Sequence, residues 1–97
     1  MANITYIARM TCKPDKRAEF IRLWRQMESY VRANEPGTLL YAFFKLREEN
    51  RYAVLQSFRD EMTERLHRNS GLLKETAPKI AACLNGSCER EYFDELE

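Results

Sequence analysis

The chain has 97 residues, 44% hydrophobic and 32% charged, with a net charge of +1. It reads as one domain, residues 1–97, near the lower end of the lengths that bury a core. Lys and Arg interleaved with Asp and Glu offer no field for nucleic acid, and no run approaches the roughly eighteen apolar residues of a membrane span.

Three Gly and three Pro argue against linkers and disorder. Met1-Ala2-Asn3-Ile4 lacks the basic start and apolar run of a secretory signal. Cys12, Cys83 and Cys88 are an odd set with no CxxC spacing. Cys83 and Cys88 could meet, but reduced thiols in a cytoplasmic protein are the better reading. One His and three scattered Cys do not make a zinc site, so no metal is expected.

Ile4 to Thr11 is short, β-branched and aromatic, and is closed by Lys13-Pro14-Asp15, which predicts a strand. Pro14 sits where a helix can begin. Phe20, Leu23, Trp24, Met27 and Val31 then form one helical stripe, with Arg17, Glu19, Arg22, Arg25, Glu28 and Arg32 on the wet side. Asn34-Glu35-Pro36-Gly37 ends that helix.

Leu39–Leu46 and Arg51–Phe58 are strand-like runs joined by the polar Arg47-Glu48-Glu49-Asn50, a hairpin. Its register sets Leu39 against Phe58, Tyr41 against Gln56, Phe43 against Val54 and Lys45 against Tyr52. The opposite face carries Leu40, Ala42, Phe44 and Leu46 with Ala53, Leu55 and Ser57. Both faces are mostly apolar, where a small antiparallel sheet normally keeps one face wet. One face goes to the helices. The other needs a second cover, and a homodimer through the sheet is the simplest one, with Leu40, Ala42, Phe44, Leu46, Ala53 and Leu55 at the interface.

Asp60 is a candidate N-cap for a second helical region, in which Met62 and Leu66 form a short stripe up to His67. Asn69-Ser70-Gly71 interrupts it. Leu72, Leu73, Ala77, Ile80, Ala81 and Leu84 resume helical spacing, with Pro78 as a kink or restart. Asn85-Gly86 ends the helix, Ser87–Phe93 is a last strand and residues 94–97 a tail. The order βαββαβ predicts an α+β fold, the ferredoxin-like split βαβ with a four-stranded antiparallel sheet and both helices on one face.

ITYIARMTCKPDKRAEF, NEPGTLLYAFFKL and RYAVLQSFRDEMTERLHRNSGLL together resemble the antibiotic biosynthesis monooxygenase family. That family carries a "KPG"-like helix start and "EPG" before the second strand. An aromatic ends its third strand, with a His nine residues on. Phe58 and His67 have that spacing, and Ser70 and Leu73 fit the segment after the His. The resemblance implies a dimeric α/β barrel with a pocket between sheet and helices. It also implies cofactor-free oxygenases acting on quinols and anthrones, or related haem-degrading enzymes. The chain departs from the pattern twice. Phe58 stands where the family most often has Trp, and Ala8 stands where the haem-degrading branch has Asn, which removes most support for haem.

His67, the one His, is the candidate catalytic group, since imidazole titrates near neutral pH. The alternative is a helix-surface or capping His. Tyr41 and Gln56 share the helix-facing side, with Tyr6 a candidate for the same face, as polar groups for a small aromatic ligand. Trp24 could stack on a flat substrate or simply fill the core. Phe58 is a pocket wall by its family position alone.

No catalytic triad, phosphate loop or carboxylate pair stands out. That suits an enzyme without cofactors, whose electron-rich phenol reacts with O₂ itself. Two functions remain: a cofactor-independent monooxygenase with His67 as base, or a non-catalytic dimeric module binding a small hydrophobic ligand or partner protein. An open pocket with His67 inward favours the first. A pocket filled by Trp24, Phe43 and Phe58 with no void would sink the enzyme reading.

Overall fold

The computed structural model describes residues 3–94 of the chain, so residues 95–97 of the expected tail lie outside the described part. Four strands form one antiparallel sheet: β1 (Ile4–Thr11), β2 (Thr38–Lys45), β3 (Arg51–Phe58) and β4 (Glu89–Phe93). Their spatial order is β2-β3-β1-β4, the ferredoxin-like arrangement. A 3₁₀ turn at Pro14–Lys16 leads into α1 (Arg17–Asn34). The second helical region is two helices, α2 (Glu61–Arg68) and α3 (Gly71–Cys83), divided at Asn69 and Ser70. Among the described residues no helix is long and apolar enough to cross a membrane.

The stripe of α1 buries Phe20, Leu23, Trp24, Met27 and Val31 against the sheet. It packs in one core cluster with Met10 of β1, Tyr41 of β2 and Tyr52 and Val54 of β3, and Tyr6, Ala8, Gln56 and Phe58 are buried on the same sheet face. Side chains alternate across a strand, so the even-numbered residues of β1 and β3 make the helix-facing side. Phe20 lies fully buried at the centre, 5.2 Å from the Tyr52 ring and 6.0 Å from Phe43. Truncating such a residue to Ala costs about 3–5 kcal/mol.

Hairpin pairing runs Tyr41↔Gln56, Phe43↔Val54 and Lys45↔Tyr52. Asn50, at φ 62, takes the left-handed position of the turn, which Asn tolerates because its side chain can bond locally. The expected Leu39–Phe58 pair does not form. A bulge between Thr38 and Leu40 puts Thr38 opposite Phe58 and leaves Leu39 exposed. An extra residue on one strand displaces the register beyond it.

Three other expectations are revised. Glu28 is not on the wet side of α1: its carboxylate is buried and accepts the Phe43 backbone N–H at 3.0 Å. That donor belongs to the sheet's edge strand β2, whose outward groups need partners. On α2, Met62 and Leu66 are exposed, and the adjacent row Thr63 and His67 turns inward. The reason is polar docking: Thr63 binds Asp60 and fits against Gly37, and His67 binds Glu35. Along α3, Thr76, Ile80 and Cys83 are buried, while Ala77 and Ala81 face solvent. Pro78 stays inside that helix, leaving one carbonyl without its donor on an exposed stretch.

The opposite sheet face belongs to the odd-numbered residues of β1 and β3. Leu40 and Phe44 are exposed there, Ala42, Leu46 and Leu55 are half-buried, and Ala53 is buried. Phe93, opposite Thr5, adds a further exposed ring to this face. Cys12 and Cys83 are buried free thiols and Cys88 is exposed.

Candidate functional site

Six residues singled out in the sequence fall into one contiguous cluster under the helices. Tyr41 and Gln56 are register partners on β2 and β3, and Tyr6 on β1 is the register partner of Gln56 on its other side. The Tyr6 hydroxyl donates to Gln56 Oε1 at 2.9 Å. The Phe58 ring lies 6.2 Å from Tyr6 and 5.4 Å from His67. Tyr41 meets His67 edge-on at 5.2 Å and Trp24 at 6.4 Å.

His67 is 3% exposed. It reaches this position because Asp60 caps α2, accepting both the Thr63 backbone N–H and its hydroxyl at 2.8 Å. A cap fixes the helix start, and His67 lies one turn beyond Thr63 on the same face. Its Nδ1 is 2.8 Å from Glu35 Oε1. An ionised carboxylate can only accept, which would make Nδ1 the donor of this contact and leave Nε2 as the ring's other nitrogen. Among the described residues His67 has no hydrogen bond through Nε2.

Among the described residues, the cluster holds buried polar atoms without partners: the Tyr41 hydroxyl, Trp24 Nε1 and Glu35 Oε2. Burial pushes the Tyr41 phenol well above its ordinary value, and the nearby Tyr6, Glu35 and Glu28 groups push it the same way. Burial likewise raises Tyr6 to about 12, against the opposing pull of the Arg90 guanidinium. Both phenols are therefore neutral donors at physiological pH. Neither is a base.

Trp24 also lies parallel to Phe43, 5.9 Å away with 13° between planes, and Phe43 stacks on Tyr52 at 5.6 Å. The aromatic cluster is close-packed. A cleft of about 360 Å³ lies beside it, lined by Tyr30, Glu35, Gly37, Arg59, Thr63 and Ser70 among others. A broader cleft of about 770 Å³ runs between the start of β1, α2 and the end of β4. Neither is lined by Trp24, Tyr41, Gln56, Phe58 or His67. Among the described residues no group of three His, Cys, Asp or Glu side chains could hold a metal ion.

Glu35 was not singled out in the sequence, yet it is the partner of His67. The signal was its place: a carboxylate at the C-terminal end of a helix opposes the helix dipole, which calls for a compensating contact. Gly37 has a reason of the same kind. A Cβ there would stand 2.7 Å from Thr63 Cγ2, so glycine lets α2 dock on the turn.

A family model described as antibiotic biosynthesis monooxygenase matches residues 3–79. Among solved structures, the chain is similar to a protein of Caulobacter crescentus CB15 named a putative antibiotic biosynthesis monooxygenase, at 28% identity and TM-score 0.93, covering 99% of this chain and 92% of that one. A conserved protein of Methanosarcina mazei Go1 is similar at 26% identity and TM-score 0.86, covering 96% and 92%. A variant of SnoaB from Streptomyces nogalater, a cofactor-independent oxygenase, shares the fold at 19% identity and TM-score 0.81, covering 98% and 94%. No match is found among the curated proteins.

Proposed function

Because the chain belongs to the antibiotic biosynthesis monooxygenase family, we propose that it is a cofactor-independent monooxygenase for a small quinol-like or polycyclic phenolic substrate, with His67 as its base. One observation carries this reading. The buried Tyr41 hydroxyl and Trp24 Nε1 lack partners, in the same ring cluster as an imidazole whose Nδ1 is already bound. Unpaired buried donors are costly, and a phenolic or carbonyl oxygen seated among these rings would satisfy them. Seating it requires the Tyr41, Phe58 and His67 rings to part.

The chemistry asks little of the protein. His67 Nε2 takes a proton from the substrate's hydroxyl or activated methylene. The resulting anion gives one electron to O₂, and the substrate radical and superoxide combine to form a C–O bond. The peroxide then loses water as the second methylene hydrogen leaves, with His67 returning its proton to the departing hydroxide. One CH₂ and one O₂ become one C=O and one H₂O. Tyr41 and Trp24 donate to the substrate oxygen, Phe58 and Tyr6 wall the ring, and Gln56 fixes Tyr6. A second copy of the chain covers the Leu40 and Phe44 face.

Oxygen uptake by purified metal-free protein on a panel of hydroquinones and anthrones tests the proposal, with His67→Ala and the larger His67→Gln run beside it. Turnover without added cofactor that falls at least about tenfold, roughly 1.4 kcal/mol of barrier, supports it. No uptake above the uncatalysed rate favours the second reading, a non-catalytic module for a small hydrophobic ligand or a partner. The close stacking of Trp24 on Phe43 supports that reading.

A further inference from the structure

We propose that Glu35 is the positioning residue of this site: it holds His67 as the Nδ1–H tautomer, so that Nε2 is the nitrogen that exchanges the substrate proton, and the cleft beside it is the solvent side of the pair. For its substrate proton this rests on the oxygenase reading; the tautomer does not.

Glu35 sits at the C-cap of α1, its backbone N–H bonded to Val31 O. The following Pro36 disfavours helical geometry for it, and Glu35 has left the helix at φ −124 and ψ 78. The turn beyond is pinned on two sides. Thr38 N–H donates to Glu35 O at 3.0 Å, and Arg59 N–H donates to Gly37 O at 3.0 Å. Gly37 then packs directly under Thr63, one turn before His67 on α2. The carboxylate is thus presented to the imidazole by a turn that is hydrogen-bonded at both ends and packed against α2.

The side chain is 14% exposed, and its ion pairing among the described residues is with His67 alone. Glu35 Oε1 takes Nδ1 at 2.8 Å and, more weakly, the Thr38 hydroxyl at 3.5 Å. Oε2 is buried without a partner. The carboxylate therefore has one oxygen on Nδ1 and the other without a protein partner among the described residues, and an imidazolium formed during turnover would lie directly against it. Glu35 also lines the cleft of about 360 Å³ with Tyr30, Arg59 and Ser70, so one side of the residue meets solvent and the other meets the base.

The single His of the chain makes its imidazole ¹⁵N spectrum a one-residue experiment. In the wild type, Nδ1 should keep its proton throughout the titration while Nε2 gains and loses one. Glu35→Ala should lose that preference. Formate, small enough to occupy the vacated carboxylate position from the cleft, should restore it in Glu35→Ala, whereas Glu35→Gln, whose amide oxygen still accepts from Nδ1–H, should keep the tautomer and lose only the charge. On any substrate the wild type oxidises, Glu35→Gln should lower kcat at least tenfold with KM within twofold, and Glu35→Asp should recover part of it. Loss of the Nδ1 proton as the wild-type ring neutralises, or an unchanged tautomer in Glu35→Ala, overturns the proposal. If Glu35→Ala fails to fold, the wild-type spectrum decides it, since loss of the Nδ1 proton there overturns the proposal. If nothing in the panel is oxidised, the spectra still decide the role of Glu35, and that failure counts against the oxygenase alone.

Discussion

Removing one oxygen from Tyr41 should make this protein more stable, and removing the equivalent oxygen from Tyr6 should make it less so. The Tyr41 hydroxyl is buried with no hydrogen-bond partner, whereas that of Tyr6 donates to Gln56 Oε1 at 2.9 Å. An unpaired buried hydroxyl costs about 1–3 kcal/mol. Tyr41→Phe removes that cost and leaves a gap smaller than a methyl group, a net gain of about 1–2 kcal/mol. Tyr6→Phe loses a bond worth about 1 kcal/mol and strands the buried Gln56 oxygen, a net loss of about 1–2 kcal/mol. For a chain of this size each kcal/mol moves Tm by about 4–8 °C, so the two variants should melt on opposite sides of the wild type. Urea and thermal melts at one fixed protein concentration read the difference, since any self-association shifts Tm by mass action. If Tyr41→Phe loses 1 kcal/mol or more, its hydroxyl is already satisfied in the free protein, and the chief support for a ligand among these rings is gone. The gain should also reverse on binding: a phenol held by Tyr41 should bind more weakly to Tyr41→Phe, the usual opposition between site function and stability.

Gly37→Ala should destabilise by about 1–3 kcal/mol through overpacking, because its Cβ would stand 2.7 Å from Thr63 Cγ2. Adding Thr63→Ala should recover part of the loss in a urea melt, and full additivity of the two changes would refute the contact. Asp60 is held below the usual carboxylate range by the Thr63 backbone N–H and hydroxyl. A depressed native pKa contributes stability that is present above the unfolded value and lost as pH falls through the native one. Asp60→Asn should therefore flatten the acid side of the stability curve while lowering stability little at neutral pH, and an unchanged acid slope would count against the cap. Finally, Phe44→Glu on the exposed sheet face should turn a dimer into a monomer in sedimentation equilibrium without changing the far-UV spectrum. A wild type that is already monomeric at tens of micromolar would remove the need for a partner on that face.

Much of the fold was legible in the sequence because it rests on local periodicity. The 3.6-residue stripe of α1, the two-residue alternation of the hairpin and the Asp60 cap each act over a few residues, and each stands in the structure. The register that paired Tyr41 with Gln56 followed from loop length alone. It failed at Leu39, where the bulge before Leu40 leaves no compositional mark.

What only the tertiary structure decided is which of two neighbouring rows on a short helix turns inward, and which distant side chain meets it. On α2 the apolar row of Met62 and Leu66 is exposed and the polar row of Thr63 and His67 is buried. Hydrophobic patterning alone ranks these rows in the wrong order. The inward row is chosen by Gly37, Glu35 and Asp60, the first two more than twenty residues upstream. Periodicity reports how much apolar surface a segment can bury. It says nothing about a close fit or a hydrogen bond formed across the fold, and the His67–Glu35 pair with the unpartnered hydroxyl of Tyr41 depends on both.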